Sequence, residues 1–317
     1  MIVSRADLEA ALASLADRVS DPCAGIYGPE STAWRLAGDL GVFLGGGRAA
    51  LLQLAHPMVA YAVAHHSHVA RDVIGRFQRT FRHVFAMAYG ELDDAVTAAR
   101  RVHAVHMRIT GEIPIAIGAW PAGARYHAND VDALRWVHAT LADTTIAVRR
   151  RLGYRFAPGE LDRYTIEMSR FGALFGIAID RLPRSWREHE DYMAAMLASD
   201  QLEVAPVALE MSKFLLGRGG PGAQPPLGRL AELLAADLLP ERLRAQFELA
   251  YSRVDRLAMT LGFRTLGRVY ERLPRGLVAI PAHAEAKRRL AGKPPSELAA
   301  WAERTLFGLS KHVTGSS

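Results

Sequence analysis

Apolar residues recur every three or four positions along almost the whole chain, and that spacing predicts helices. It runs through ADLEAALASLADRV (6–19) and through 92–110, 131–152, 187–204, 227–236 and 241–260. Alternating β-branched runs between turn residues are nearly absent, the best being EIPIAIGAW at 112–120. Asn129-Asp130 opens the segment toward Val148, and Pro158-Gly159 precedes ELDRYTIEMSRFG, both as helix starts do. The one linker-like stretch, GRGGPGAQPP at 217–226, separates a longer N-terminal part from a helical tail. No fixed-period repeat is present. The pattern predicts an all-α protein of about a dozen helices, one compact domain with a C-terminal subregion.

Composition agrees with a buried core: half of the 317 residues are hydrophobic and 23% are charged. The net charge of +6 invites a nucleic-acid reading. The basic residues are scattered, however, the longest run being Arg149-Arg150-Arg151, and no nucleic-acid-binding motif accompanies them. Nearly all of them are arginine, with lysine only at 213, 287, 293 and 311. Cys23 is the sole cysteine, which excludes an internal disulfide and a cysteine-built metal cluster. The first twenty residues carry acids and no continuous apolar stretch, unlike a secretory signal. The apolar region from Val42 to Ala64 is interrupted by Arg48, His56 and Pro57, which argues against a membrane span. A soluble, cytoplasmic protein is the expectation.

Candidate chemistry gathers in one place. Nine of the twelve histidines fall between His56 and His138. His103 and His106 share a helix face, whereas the neighbours His65 and His66 point different ways. H-E-x-x-H and the Glu-x-x-His pairs of di-iron bundles are missing, as is the G-x-S-x-G elbow of hydrolases. GGGRAA at 45–50 approximates a dinucleotide fingerprint but lacks the preceding strand and the following acid. It reads better as a tight turn into a close-packed helix. A lone histidine on an apolar helix face is more often a core residue with a satisfied hydrogen bond than a ligand. Imidazoles and arginines in an apolar helical frame suit a haem: one neutral imidazole for the iron, arginines for the propionates, apolar side chains for the macrocycle.

The ordered segments LLQLAHP, HHSHVARDVIGRFQRT, VHAVHMRITG, RYHANDVDALRWVHATL and LPERLRAQFELAY resemble the DUF2236 family, over roughly residues 30–280. That family includes the rubber oxygenases (latex clearing proteins) and the MpaB-like oxygenases of fungal terpenoid biosynthesis. The resemblance implies an all-α fold with a globin-like core around a b-type haem, and cleavage of isoprenoid double bonds by dioxygen. It implies a haem domain over 30–280, with an N-terminal helix and lead-in (1–29) and a helical tail (281–317). His106, five residues before Gly111, takes the place of the proximal iron ligand, with His103 as the competing choice one turn away. Arg76 and Thr80 take the places of a haem-facing Arg and Thr, and His138 matches a further histidine near the haem.

Two departures separate the chain from the rubber-cleaving members. Arg79 stands where they carry a lysine, and a guanidinium has no lone pair to offer iron. Their glutamate base has no counterpart either, because no carboxylate occurs between Asp39 and Asp72. His65 or His66 is the remaining candidate for that base. The expected activity is haem-dependent oxygenation of a small apolar substrate, isoprenoid or unsaturated lipid. The alternatives are a haem sensor or carrier without turnover, and a cofactor-free helical scaffold.

Overall fold

The computed structural model describes residues 1–65, 83–217 and 225–297. Helices α1 (Arg5–Ala16), α2 (Thr32–Ala37), α3 (Gly46–Leu54) and α4 (Pro57–His65) come first, followed by α5 (83–89) and α6 (Leu92–His106). A short ribbon, β1 (Thr110–Glu112) and β2 (Arg125–His127), leads into α7 (Val131–Arg151) and α8 (Glu160–Ala173). Next are α9 (Trp186–Ala198), α10 (Pro206–Leu215), α11 (Pro225–Leu238) and α12 (Glu241–Gln246). The described chain closes with α13 (Arg253–Arg272), α14 (Arg275–Val278) and α15 (Pro281–Leu290). The ribbon is the only sheet among the described residues, so the fold is all-α.

The axis of the molecule is α7. Asp130 caps it by accepting from the amides of Asp132 and Ala133, which satisfies donors that a helix start leaves open. Its buried positions face two cores. Val131, Leu134, Ala142 and Ile146 pack with α1, α6 and α8, while Trp136 and Ala139 pack with α3, α4, α9 and α10. The 45–50 glycines do form a turn into a close-packed helix. A side chain at Gly45 would run into Thr144 and Val148 of α7, and one at Gly47 would press on Ala235 of α11.

Three elements differ from their periodic pattern. The strand expected at 112–120 reaches only Glu112, because Pro114 has no N–H for the ladder. The helix expected over 187–204 stops at Ala198, where Ser199 turns extended and its N–H returns to the Met196 carbonyl. The segment 241–260 is two helices, not one. Glu248 takes a left-handed backbone at φ 53°, and Ser252 restarts the helix with a capping box to Asp255. The basic run is used up inside the fold. Arg149 pairs with Asp39 (2.7 Å), Arg150 with Glu190 (3.4 Å) and Arg151 with Asp237 (2.8 Å). No helix among the described residues is long and apolar enough to cross a membrane.

Candidate functional site

The C-terminal end of α6 carries the two candidate ligands. Ala95, Ala98 and Ala99 give this helix a small-residue face that packs against α1, and Asp93 and Asp94 suit its N-terminal dipole. His103 is buried on that face, its Nε2 3.0 Å from the Val3 carbonyl. Its own carbonyl accepts from the Asn129 amide at 3.2 Å. His103 thus ties α6 to the N-terminal strand-like lead and to the start of α7.

One turn later the situation reverses. The His106 ring is half-buried, and its Nδ1 is enclosed without a hydrogen-bond partner. Burial pushes His106 down to about 4, only partly opposed by the Asn129 side chain. A neutral imidazole is the form that would hold a haem iron. Val105 and Met107 beside it are exposed apolar side chains, and Arg101 and Arg108 are exposed cations on the same helix end. Apolar surface and arginine next to a free imidazole fit a macrocycle with carboxylate tails.

His65 ends α4, its Nδ1 2.9 Å from the Tyr126 hydroxyl, with the Tyr61 ring tilted against it at 5.4 Å. Gly111 is required for this arrangement: a side chain there would strike the Tyr126 ring, which lies across the ribbon. Tyr126 and His127 are successive residues of β2 and point to opposite faces. The ribbon therefore has His65 and Tyr126 on one side. His127, which accepts from the Asn129 N–H at 2.9 Å, is on the side of His103.

His138 lies inside the fold. Its Nε2 is 2.8 Å from the Met168 carbonyl of α8, its ring edge rests on Gly172, and burial pushes it to about 4. Among the described residues, His56 against Trp120, His189 stacked on Trp186 and His283 edge-on to Trp34 are three further buried histidine rings; His56 and His283 each have an unpartnered nitrogen, and His189 Nε2 reaches only Asp143, at 3.5 Å. All three are fully buried, at 2%, 2% and 6% exposure. Among the described histidines only His106 combines an unpartnered nitrogen with a ring that reaches the surface. Arg76, Arg79, Thr80 and His66 lie outside the described residues. Among the described residues no three His, Cys, Asp or Glu side chains converge as metal ligands. A haem asks the protein for one.

Sequence reasoning passed over Asn129 and Tyr126. Asn129 was legible only as part of a helix start, and the aromatic at 126 carried no pattern of its own.

The chain matches the family model "ER-bound oxygenase mpaB/B'/Rubber oxygenase, catalytic domain" over residues 34–272. Among solved structures it is similar to latex clearing protein in its closed state. That similarity has 15% identity and a TM-score of 0.47, covering 91% of this chain and 75% of the other. No curated protein matches it.

Proposed function

The chain belongs to the family of mpaB/B' and rubber oxygenase catalytic domains, and from that premise we propose a b-type haem oxygenase acting on a small apolar, unsaturated substrate. The observation that carries this reading is the half-buried, neutral imidazole of His106 at the end of α6, with no hydrogen-bond partner for its Nδ1 among the described residues. Bound haem would supply the dioxygen chemistry that side chains alone lack. Oxidative cleavage of the alkene would consume one dioxygen and place one oxygen atom in each of two carbonyl products.

The chain's own residues have distinct tasks. His106 would hold the cofactor, with the Asn129 side chain beside the ring. His103 and His138 fix α6 and α8 in place through carbonyls of Val3 and Met168. Arg101 and Arg108 are suited to the propionates. Arg76, Arg79 and Thr80 act as hydrogen-bond donors in the roles their family positions imply, and Arg79 remains charged throughout. His65 is the base of this scheme, able to pass a proton between its Nδ1 and the Tyr126 hydroxyl. With a single cysteine the chain needs no oxidising compartment, which supports a cytoplasmic location.

A second reading, haem sensing or carriage without turnover, is favoured by the absence of any carboxylate between Asp39 and Asp72. Purified protein from haem-replete cells is expected to show a Soret band, extractable by acid acetone because no C-x-x-C-H anchors the group. Oxygen uptake with an isoprenoid alkene then separates enzyme from carrier. A protein that shows no Soret band and gains none with added hemin would end both readings.

A further inference from the structure

Helix α13 presents a surface that the oxygenase reading does not use. Val254, Leu257, Leu261, Arg264, Arg268 and Arg272 follow one another at spacings of three and four, which places them in a single stripe along the helix. The opposite face, Met259, Phe263 and Gly267, is the one packed into the protein. The stripe is open to solvent: Val254 is 77%, Leu257 61% and Leu261 53% exposed. Beside it runs a second exposed row, Leu266, Val269 and Leu273. Exposed leucines and valines in such continuity are unusual on a monomer and mark an interaction surface.

The charge on this surface is predominantly positive. Helix α13 holds five arginines against Asp255 and Glu271, and Asp255 is occupied by Ser252 and Arg229. Next to the stripe lies an open cleft of about 380 Å³ lined by Arg155, Arg264 and Arg268, with Glu271 as its one acid. Arg155, Arg264 and Arg268 have no ion-pair partner among the described residues, unlike Arg149, Arg150 and Arg151 on the neighbouring helix.

We propose that α13 docks the protein on an anionic lipid bilayer, with Leu257 and Leu261 entering the headgroup–acyl boundary and Arg264, Arg268 and Arg155 meeting lipid phosphates. The two halves of the stripe decide the partner together. A nucleic acid would engage the arginines and leave the leucines in water, and a neutral apolar partner would leave the arginines unpaired. A helix lying in a bilayer interface satisfies both. Each juxtamembrane arginine contributes about a fivefold gain in affinity at low salt, and screening removes it. The proposal stands whether or not the chain binds haem.

Co-sedimentation of the full chain with vesicles tests it. Phosphatidylcholine vesicles containing phosphatidylserine should carry the protein down, and phosphatidylcholine alone should not. High salt should weaken the binding. Arg264→Gln/Arg268→Gln should lower affinity roughly 20-fold, and Leu257→Ser/Leu261→Ser at least about tenfold. Ile166→Ser, an exposed apolar residue on α8, should bind as the parent does and controls for general surface polarity. Circular dichroism establishes that each variant is folded. Equal binding to neutral vesicles, or anionic binding that survives both double variants, would overturn the proposal. A dimer in solution that the Leu257→Ser/Leu261→Ser change dissolves would overturn it too, by giving the face to a second copy of the chain.

Discussion

His106 and His138 share a chemical symptom and differ in everything around it. Burial pushes both rings to about 4, so both are neutral near pH 7. His138 is enclosed between α7 and α8, with one nitrogen on a carbonyl and its ring edge on a glycine. His106 ends a helix at the surface, its buried Nδ1 without a hydrogen-bond partner among the described residues. A lowered pKa therefore reports desolvation, and desolvation alone does not distinguish a packing residue from a ligand. What separates the two rings is the unpaired Nδ1 and the accessible ring edge of His106, the features on which the proposed ligand role rests.

The sharpest way to break this contrast is to remove each ring in turn. If His106 is the iron ligand proposed above, His106→Ala should weaken hemin binding by more than about 100-fold, more than loss of a supporting group would. His103→Ala should retain a Soret band. Hemin titration of the two variants checks this, and a reversed result would move the ligand one turn along α6.

Stability should show the opposite ranking. Asp143 joins the two buried groups Arg48 (2.5 Å) and His189 (3.5 Å). Asp143→Ala strands the Arg48 guanidinium and should cost about 3–5 kcal/mol, with hemin affinity unchanged where the protein folds. His138→Ala leaves a cavity and an unpaired Met168 carbonyl, a cost of roughly 3 kcal/mol in urea unfolding. If His138→Ala lost haem without losing stability, the two histidines would have exchanged roles.

Acid sharpens the comparison further. His56, His138 and His283 are buried and held near 4, below the 6.5 of an unfolded imidazole. The unfolded chain therefore binds more protons in that interval. Stability contributed by the neutral rings is complete above about 6.5 and is lost as pH falls toward 4. At pH 5 the loss should be about 2 kcal/mol for each ring. Urea midpoints at pH 7 and pH 5 measure it, and His138→Ala should flatten the dependence by one ring's share. An unchanged midpoint would mean that these rings stay protonated when buried.

The smallest effect belongs to the residue between the two regions. Asp130 caps α7, and its neighbour Asn129 holds the His103 carbonyl. Asp130→Ala should lower stability by about 1 kcal/mol and leave the Soret band in place. Loss of haem in that variant would show that the ligand's environment depends on the start of α7.

The amino-acid pattern by itself determined the helices, because their causes are local. The periodicity of 92–110 and 131–152, the Asp130 cap and the glycine turn before α3 act within a few residues, and each is present in the fold. The break inside 241–260 was not read, since the apolar rhythm runs on past Glu248, where the backbone turns left-handed, and Ser252, where the helix restarts. The family was legible through ordered segments. Tertiary structure alone separated the histidines. His103 is satisfied by a carbonyl 100 residues away and His138 by one 30 residues away, whereas His106, on the same helix face as His103, finds none for its Nδ1. Spacing along a helix encodes which side chains are buried; which buried nitrogen is paired depends on backbone brought in from distant parts of the chain.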